Sequence, residues 1–489
     1  MQITELRQVK CAHQFYVPIG NKTMGKKSPS EGKKYHFIGI GGVGTSALAA
    51  VLMKEKAIVT GSDMENSLLT DRLTQSGATV KIGHFAENLP EDLDGVVISA
   101  AVKDDNPELV EAKRRKIMVY KYAQMLGLVM DRYKGVAVTG THGKSTTTGW
   151  LVYVLKSLGI DPSFVVGADV LQLHSSSGVG NSEIFVAEAC EYDRSFLNFH
   201  PAIGIILNIE PDHLDYYSDI SEIVSAFGDF ANGIRTDGVL IAGGEDANIA
   251  KLLPALRNKQ IVTFGINDKF DYWAAQITLR PDGTEFICMR GDREIGKAVV
   301  KLPGEHNVRN ALAVIAAAET MGLDAAEVLK VIGGFEGMDR RLMKKAEING
   351  ITIYDDYAHH PTEIKASLKA MRQRYDGRKI FCIFQPHQYS RTRFFLKDFA
   401  ESFKLADITI VPEIYFVRDT QKAKSEVNAE MLVDAIKQKG SNAVFIEFFD
   451  KICEFLKSNV KSGNVVITMG AGPVWKVADE YIQWLRKNS

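Results

Sequence analysis

The sequence predicts an α/β protein of three domains, each built on a mostly parallel sheet covered by helices. The chain has 489 residues, 45% of them apolar, which is material for about three full cores. From Tyr35 onward, short apolar runs alternate with amphipathic stretches, the pattern of strands joined by crossover helices. Two glycine-rich turns each follow an apolar run and open a helix-like stretch. That order places functional groups at the C-terminal ends of strands.

Taken in order, residues 1–33 are polar, with Lys, Gly and Ser gathered between Asn21 and Lys34. They are expected to form a loosely structured N-terminal arm. Residues 34–134 form the first domain. Its first strand, Tyr35–Ile40, runs into Gly39-Ile40-Gly41-Gly42-Val43-Gly44, ahead of a helix over Thr45–Met53. This fits G-x-G-x-x-G, in which glycines allow a tight turn and a close approach of backbone to a diphosphate. Asp63 follows a second apolar run, Ala57–Val59, where a ribose-binding acid is expected. The domain is therefore Rossmann-like. NAD is the default tenant of such a loop, and the diphosphate of a UDP-sugar would need the same backbone. A further strand is expected over Gly95–Ala100, and the domain closes near Tyr133-Lys134.

Residues 135–342 form the second domain. The strand Gly135–Thr139 ends in Gly140-Thr141-His142-Gly143-Lys144-Ser145, followed by Thr146–Thr148 and a helix with Leu151, Val154, Leu155 and Leu158 on one face. Backbone amides and a helix N-terminus would face phosphates, the lysine would add a point charge, and the first hydroxyl would reach Mg²⁺. The spacing is shorter than the standard P-loop. Strands are expected at Ile184–Glu188 and Ile203–Ile209, and an Ala-rich helix from Val308 to Met321. The domain is thus P-loop ATPase-like and mostly parallel. It closes near Gly337–Leu342, after the Gly333-Gly334 turn.

Residues 343–489 form the third domain, again Rossmann-like. Its strands are expected at Ile351–Asp355, Lys379–Phe384, Asp407–Val411 and Asn464–Met469.

Composition narrows the function. A net charge of −1 argues against a nucleic-acid or membrane surface made by bulk charge. The five cysteines, Cys11, Cys190, Cys288, Cys382 and Cys453, form no Cys-x-x-Cys pair. They read as reduced thiols of a cytoplasmic protein, not as a disulfide framework or a zinc site. The N-terminus does not read as a signal peptide.

The short GTHGKST loop with the upstream GIGGVG loop resembles the Mur ligases. These ATP-dependent enzymes form amide bonds on the UDP-linked muramic acid precursor of peptidoglycan. The likeness extends through Glu188-Ala-Cys-Glu-Tyr-Asp193, Asn208-Ile-Glu-Pro-Asp-His213, His306-Asn307-Val-Arg-Asn310, Asp355-Asp356-Tyr-Ala-His359-His360-Pro361, Phe384-Gln-Pro-His387-Gln-Tyr-Ser-Arg391 and Gly470-Ala-Gly472. It is strongest to the branch that adds L-alanine to UDP-N-acetylmuramate through an acyl phosphate. The neighbouring branch, which attaches an intact tripeptide in cell-wall recycling, is the nearest alternative.

The resemblance implies roles residue by residue. ATP falls to Gly140, Thr141, His142, Gly143, Lys144, Ser145 and Thr146, with His306, Asn307, Asn310, Arg341 and Asp356. For the asparagines, helix capping is the competing explanation. The UDP-sugar falls to Gly39, Gly41, Gly42, Gly44, Asp63 and Ser99. Ser145, Glu188 and His213 would hold Mg²⁺ or Mn²⁺. For Glu188 a solvated surface or an ion pair competes, and for His213 a structural role. His359, His360, His387 and Arg391 would serve the amino acid. Lys144, Glu188, His213 and Arg391 would carry catalysis. A monomer or weak homodimer without nucleic-acid or membrane partners is expected.

Three positions depart from the family pattern. Gln388 stands where the L-alanine branch has Arg, and Gln supplies no charge for a carboxylate. Arg391 or Arg393 would have to supply it. Cys190 replaces an Asp, and an acidic setting would raise its pKa and argue against a nucleophile. Several members bridge two metals with a carbamylated lysine downstream of the metal histidine. No lysine occurs between His213 and Lys251, and Gly228 falls near the expected slot.

Two functions of other classes compete. An NAD-dependent oxidoreductase fused to an ATPase module explains Gly39–Gly44 but not Glu188, His213 and Asn307. Against a non-catalytic UDP-sugar sensor stand the intact Lys144, Glu188 and His213.

Overall fold

A computed structural model describes residues 28–256, 258–417 and 419–488. Three sheets follow one another along the chain. The first has five parallel strands. Lys34–Ile38 lies at its centre, between Ile58–Asp63 and Gly95–Ile98, with Thr79–Ile82 and Val119–Lys121 at the edges. The chain reverses its winding at the central strand. That switch point opens a crevice at the strand's C-terminal end, and Gly39–Gly44 lies there.

The second sheet has ten strands. Lys134–Thr139 runs parallel between Ile203–Ile206 and Ile184–Glu188. Val138 is level with Glu188 and Thr139 with Ile206, so the three strands end side by side. Helix Glu305–Thr320 contributes a run of fully buried residues from Ala311 to Ala318 to the core. It packs near helix Lys144–Ser157, which holds Trp150, Leu151, Val154 and Leu155 in the same cluster.

The third sheet has six strands. Ile351–Asp356 and Ile380–Phe384 flank Val465–Met469 in parallel, and Met343–Ile348 adds an antiparallel edge.

Two features differ from the sequence-based expectation. The alternation of strand and helix breaks at Tyr272–Val300. There three consecutive strands pair antiparallel, turned at Pro281-Asp282 and at Gly291-Asp292, residues that favour tight turns. Much of the expected N-terminal arm, residues 1–27, lies outside the described residues. Residues 28–33 are held in place. Ser30 is fully buried, its hydroxyl donates to Glu55 at 2.9 Å, and Arg132 reaches both Ser30 and Glu55 at 2.5 Å.

Among the described residues, no helix is long and apolar enough to cross a membrane.

Candidate active site

The phosphate-type loop is anchored from the neighbouring strand end. Strand Ile203–Ile206 stops earlier than its apolar run, and residues 207–213 cross toward the loop. Asn208 Oδ1 accepts from the His142 amide at 2.8 Å, and its Nδ2 donates to the His142 carbonyl at 3.0 Å. The Glu210 amide donates to Thr141 Oγ1 at 2.8 Å. The loop thus has a fixed shape. Gly143 needs its φ of 84° to turn into the helix, and a Cβ there would lie 2.9 Å from Asn310 Oδ1. Asn310 therefore abuts the loop. Its Nδ2 donates to Asn307 Oδ1, and Asn307 Nδ2 donates to the Pro303 carbonyl. Neither asparagine caps the helix, whose N-terminal residue, Gly304, has no side chain to do so. His306 Nε2 accepts from Asn307, and burial pushes His306 down to about 4.

Lys144 does not meet Glu188. Its Nζ donates to the Gly140 and Thr141 carbonyls and lies 3.0 Å from Glu191 Oε1. Burial alone would lower the Lys144 pKa, but the Glu191 charge raises it overall. Glu188 ends its strand, and its Oε2 accepts from the Gly167 amide at 2.8 Å. His213, at φ 53°, turns its Nε2 to 3.5 Å from Glu191 Oε1 and its ring toward Tyr192. Glu191 is thus a site residue that motif reasoning missed. The available signal was the second glutamate of Glu188-Ala-Cys-Glu191. Cys190 keeps an exposed surface, yet crowding by surrounding protein, and then the Glu191 charge, push its thiol up to about 12. Thiolate chemistry is thereby disfavoured.

The third sheet presents its residues to the same place. Arg341 Nη2 donates to Ser145 Oγ at 3.3 Å, and its guanidinium lies over the Tyr357 ring at 4.8 Å. Ser145 is buried at the head of the helix, and Thr146 follows half-buried. Asp356 is buried and accepts from Ser367 and from the Ala358 amide. Burial pushes it up to about 6. Arg391 pairs with Asp212, and both are almost fully buried. His359 bonds the Tyr357 carbonyl through Nδ1 at 3.0 Å and approaches His387 edge-on. Burial pushes His359 down to about 4. The His360 ring lies 4.6 Å from that of His142, tilted by 44°. Gln388 sits buried at φ 67° before helix Tyr389–Phe394.

The first glycine loop follows the central strand of the first sheet. The Gly41 amide donates to Asp63 Oδ2 at 2.7 Å, so the expected ribose acid also shapes the loop. A Cβ on Gly39, at φ 78°, would lie 2.6 Å from Ser99 Oγ. Gly42 precedes helix Val43–Lys54 with no side-chain cap. A Cβ on Gly44 would strike the Tyr122 ring at 2.7 Å. Burial and then the Glu188 charge raise the Tyr122 pKa, so Tyr122 lies between the first glycine loop and the end of strand Ile184–Glu188. Gly228 is buried within helix Ile220–Gly233, where a Cβ would lie 3.1 Å from Leu252.

The sequence matches three family models in chain order. They are the Mur ligase family catalytic domain over residues 34–134, the Mur ligase middle domain over 138–318, and the Mur ligase glutamate ligase domain over 340–472. A UDP-N-acetylmuramate--L-alanine ligase of Caldanaerobacter subterraneus is 43% identical over 93% of this chain and 98% of its own. Among solved structures, UDP-N-acetylmuramate-alanine ligase MurC of Thermotoga maritima superposes with a TM-score of 0.78 at 30% identity, covering 93% of this chain and all of that one. A murein peptide ligase of Psychrobacter arcticus gives 0.67 at 25% identity, covering 93% and 99%. Three matched segments in order and likeness along almost the whole length have one common explanation: the chain belongs to the Mur ligase family.

Proposed function

We infer that the protein joins L-alanine to the carboxylate of UDP-N-acetylmuramate with ATP, releasing ADP and phosphate, in peptidoglycan precursor synthesis. The observation that carries this is the convergence of Lys144, Glu188, Glu191 and His213 at three adjacent strand ends, facing His359, His387 and Arg391 of the third sheet. The extent of likeness to L-alanine ligases supports the choice of amine.

The chemistry follows from charge. A carboxylate is a poor acyl donor because oxide is a poor leaving group. Its oxygen attacks the γ-phosphorus of ATP, the bond to the bridging oxygen breaks, and ADP departs. The neutral amine then attacks the acyl carbon, the acyl–phosphate bond breaks, and inorganic phosphate leaves with the amide formed. Both steps gather negative charge, so positioning and electrostatics dominate.

Lys144 and the loop amides hold the phosphates, and Arg341 reaches the same helix head. Asn307 and Asn310 offer donors and acceptors to the base. Asp356 stands at the nucleotide's third-domain side. Gly39–Gly44, Asp63 and Ser99 hold the UDP-sugar so that its carboxylate reaches the loop. His359, His360, His387 and Arg391 frame the amine. Ser145, Glu188 and His213 offer hydroxyl, carboxylate and imidazole donors that suit Mg²⁺ or Mn²⁺. The bound cation would neutralise charge on the transferring phosphoryl group. Nucleotide-linked substrates of this kind fit a cytoplasmic site of action.

Phosphate release with UDP-N-acetylmuramate, ATP and Mg²⁺, scanned over L-alanine, glycine, L-serine and the tripeptide, tests the reading. L-alanine is expected to give the highest kcat/KM. Preference for the tripeptide would place the chain in the recycling branch.

A further inference from the structure

His142, Glu210 and His360 bring one possible ligand atom each to within 4.8 Å of one another. His142 lies in the phosphate-type loop and Glu210 in the crossing segment beside it. His360 comes from the third sheet, at the head of helix Pro361–Arg374. Glu210 Oε2 lies 3.5 Å from His142 Nε2 and 3.9 Å from His360 Nδ1. Tetrahedral zinc, with bonds of about 2.0–2.2 Å, holds its ligand atoms about 3.3 Å apart. Shifts of roughly half an ångström would bring Glu210 to that spacing from both rings, and the ring nitrogens, within 4.8 Å of each other, would draw together on binding.

The surroundings match what such a site needs. A metal-bound histidine gives its other ring nitrogen to a carboxylate or carbonyl, which fixes the ring. His142 Nδ1 lies 3.1 Å from Glu363 Oε1. His360 Nε2 lies 3.2 Å from the Pro211 carbonyl. Both rings therefore turn their remaining nitrogens toward Glu210. His142 Nε2 is buried and has no hydrogen-bond partner. His360 Nδ1 accepts only a long bond, 3.3 Å, from the Thr362 amide. Glu210 Oε2 also accepts from Thr362 Oγ1 at 2.6 Å, which orients the carboxylate as a neighbouring donor does for a metal ligand.

We propose that His142, Glu210 and His360 form a binding site for a borderline divalent cation of the zinc class, separate from the Ser145, Glu188 and His213 donors. Two imidazoles and one carboxylate select Zn²⁺, Co²⁺ or Ni²⁺ over Mg²⁺, which demands oxygen ligands. The cation takes the place of a proton on His142 Nε2, and water completes the fourth position. Its ligands come from the second and third sheets, so the bound ion staples the third domain onto the phosphate-type loop. Occupancy is expected to slow turnover by holding that junction shut.

Cobalt(II) is the probe, added to the full-length protein in excess Mg²⁺. One equivalent is expected to bind, with the visible absorption of a four-coordinate nitrogen and oxygen site, and to be displaced by Zn²⁺. Glu210→Gln and His360→Asn are each expected to weaken Co²⁺ binding about ten-fold or more. His213→Asn is expected to leave it unchanged. Because His360 caps a helix, Glu210→Gln decides the matter if His360→Asn fails to fold. The proposal is overturned if Co²⁺ fails to bind against Mg²⁺. It is equally overturned if binding survives Glu210→Gln, whether or not it disappears in His213→Asn.

Discussion

The Lys144 ammonium lies 2.9 Å from one Glu191 carboxylate oxygen and 3.0 Å from the other. Glu191 also faces His213 at 3.5 Å, so one carboxylate sets the positions of both Lys144 and His213. Removing one member of a buried pair leaves the other charge uncompensated, at about 3–5 kcal/mol. Glu191→Gln is therefore expected to lower stability by about 3 kcal/mol. It is also expected to raise the Mg²⁺ concentration needed for half-maximal rate. Thermal unfolding and a Mg²⁺ titration of initial rates check the two parts. An unchanged Mg²⁺ dependence would leave Glu191 a purely structural partner.

Arg391 and Asp212 form the corresponding link between the second and third sheets. The pair is nearly dry, and against the cost of burial Arg391, then His213, hold the Asp212 carboxyl well below its usual range. Arg391 is thus committed to Asp212 before any carboxylate of an amino acid arrives. Asp212→Asn should weaken the junction without touching the glycine loops. Its expected signature is a raised KM for L-alanine, about ten-fold for a loss of 1.4 kcal/mol, with ATP affinity nearly unchanged. Steady-state kinetics with each substrate varied in turn would read this out.

Sequence pattern showed the three sheets because parallel strands buried on both faces leave continuous apolar runs, as at Val136–Val138 and Ile380–Phe384. Both glycine loops were legible for a related reason: φ values of 78° at Gly39 and 84° at Gly143 favour glycine. The antiparallel strands at Tyr272–Val300 were not, since their faces carry charges such as Arg290 and Lys297 and interrupt the apolar signal. The pairing of Lys144 with Glu191 was also hidden. It depends on how residues 189–191 leave the strand after Glu188, with Glu191 in a helical conformation at φ −75°, which no spacing rule encodes. The Asp212–Arg391 contact joins residues 179 apart and appears only once the domains are assembled.

His306 provides a pH test of the fold. Burial pushes it down to about 4, whereas an unfolded histidine titrates near its ordinary value of 6.5. Between those values the unfolded chain binds the proton and the folded one does not. Stability from this group is complete above about pH 6.5 and is lost as pH falls toward 4, at no more than about 1.4 kcal/mol per pH unit. His306→Gln should flatten that part of the stability profile. Denaturant unfolding of both proteins at pH 5 and 7.5 measures the difference. An identical fall in the two proteins would exclude His306 as the source.

Bicarbonate should have no effect on turnover at constant pH. Carbamylation needs a lysine amine, and no lysine lies between His213 and Lys251. Gly228 is packed in a helix against Leu252, so no side chain from that position reaches the site. Initial rates with and without added bicarbonate test this, and stimulation would require a carbamylated group elsewhere.

The assignment of the two glycine loops can be tested by crossing their variants. A Cβ at residue 39 would enter a left-handed backbone position and meet Ser99 Oγ at 2.6 Å. Left-handed non-glycine residues cost about 1–2 kcal/mol, and the collision adds to that. Gly39→Ala should therefore distort the first loop alone and weaken UDP-N-acetylmuramate binding about ten-fold or more, at 1.4 kcal/mol per ten-fold. Lys144→Ala removes the charge that the second loop offers to phosphates but leaves Gly39–Gly44 and Asp63 in place. It should abolish turnover while UDP-N-acetylmuramate binds nearly as before. Calorimetric titration of each variant with each nucleotide gives four affinities. The loops act separately if each variant weakens one nucleotide and spares the other. Loss of UDP-sugar affinity in Lys144→Ala would mean that the second loop, not the first, holds the sugar diphosphate.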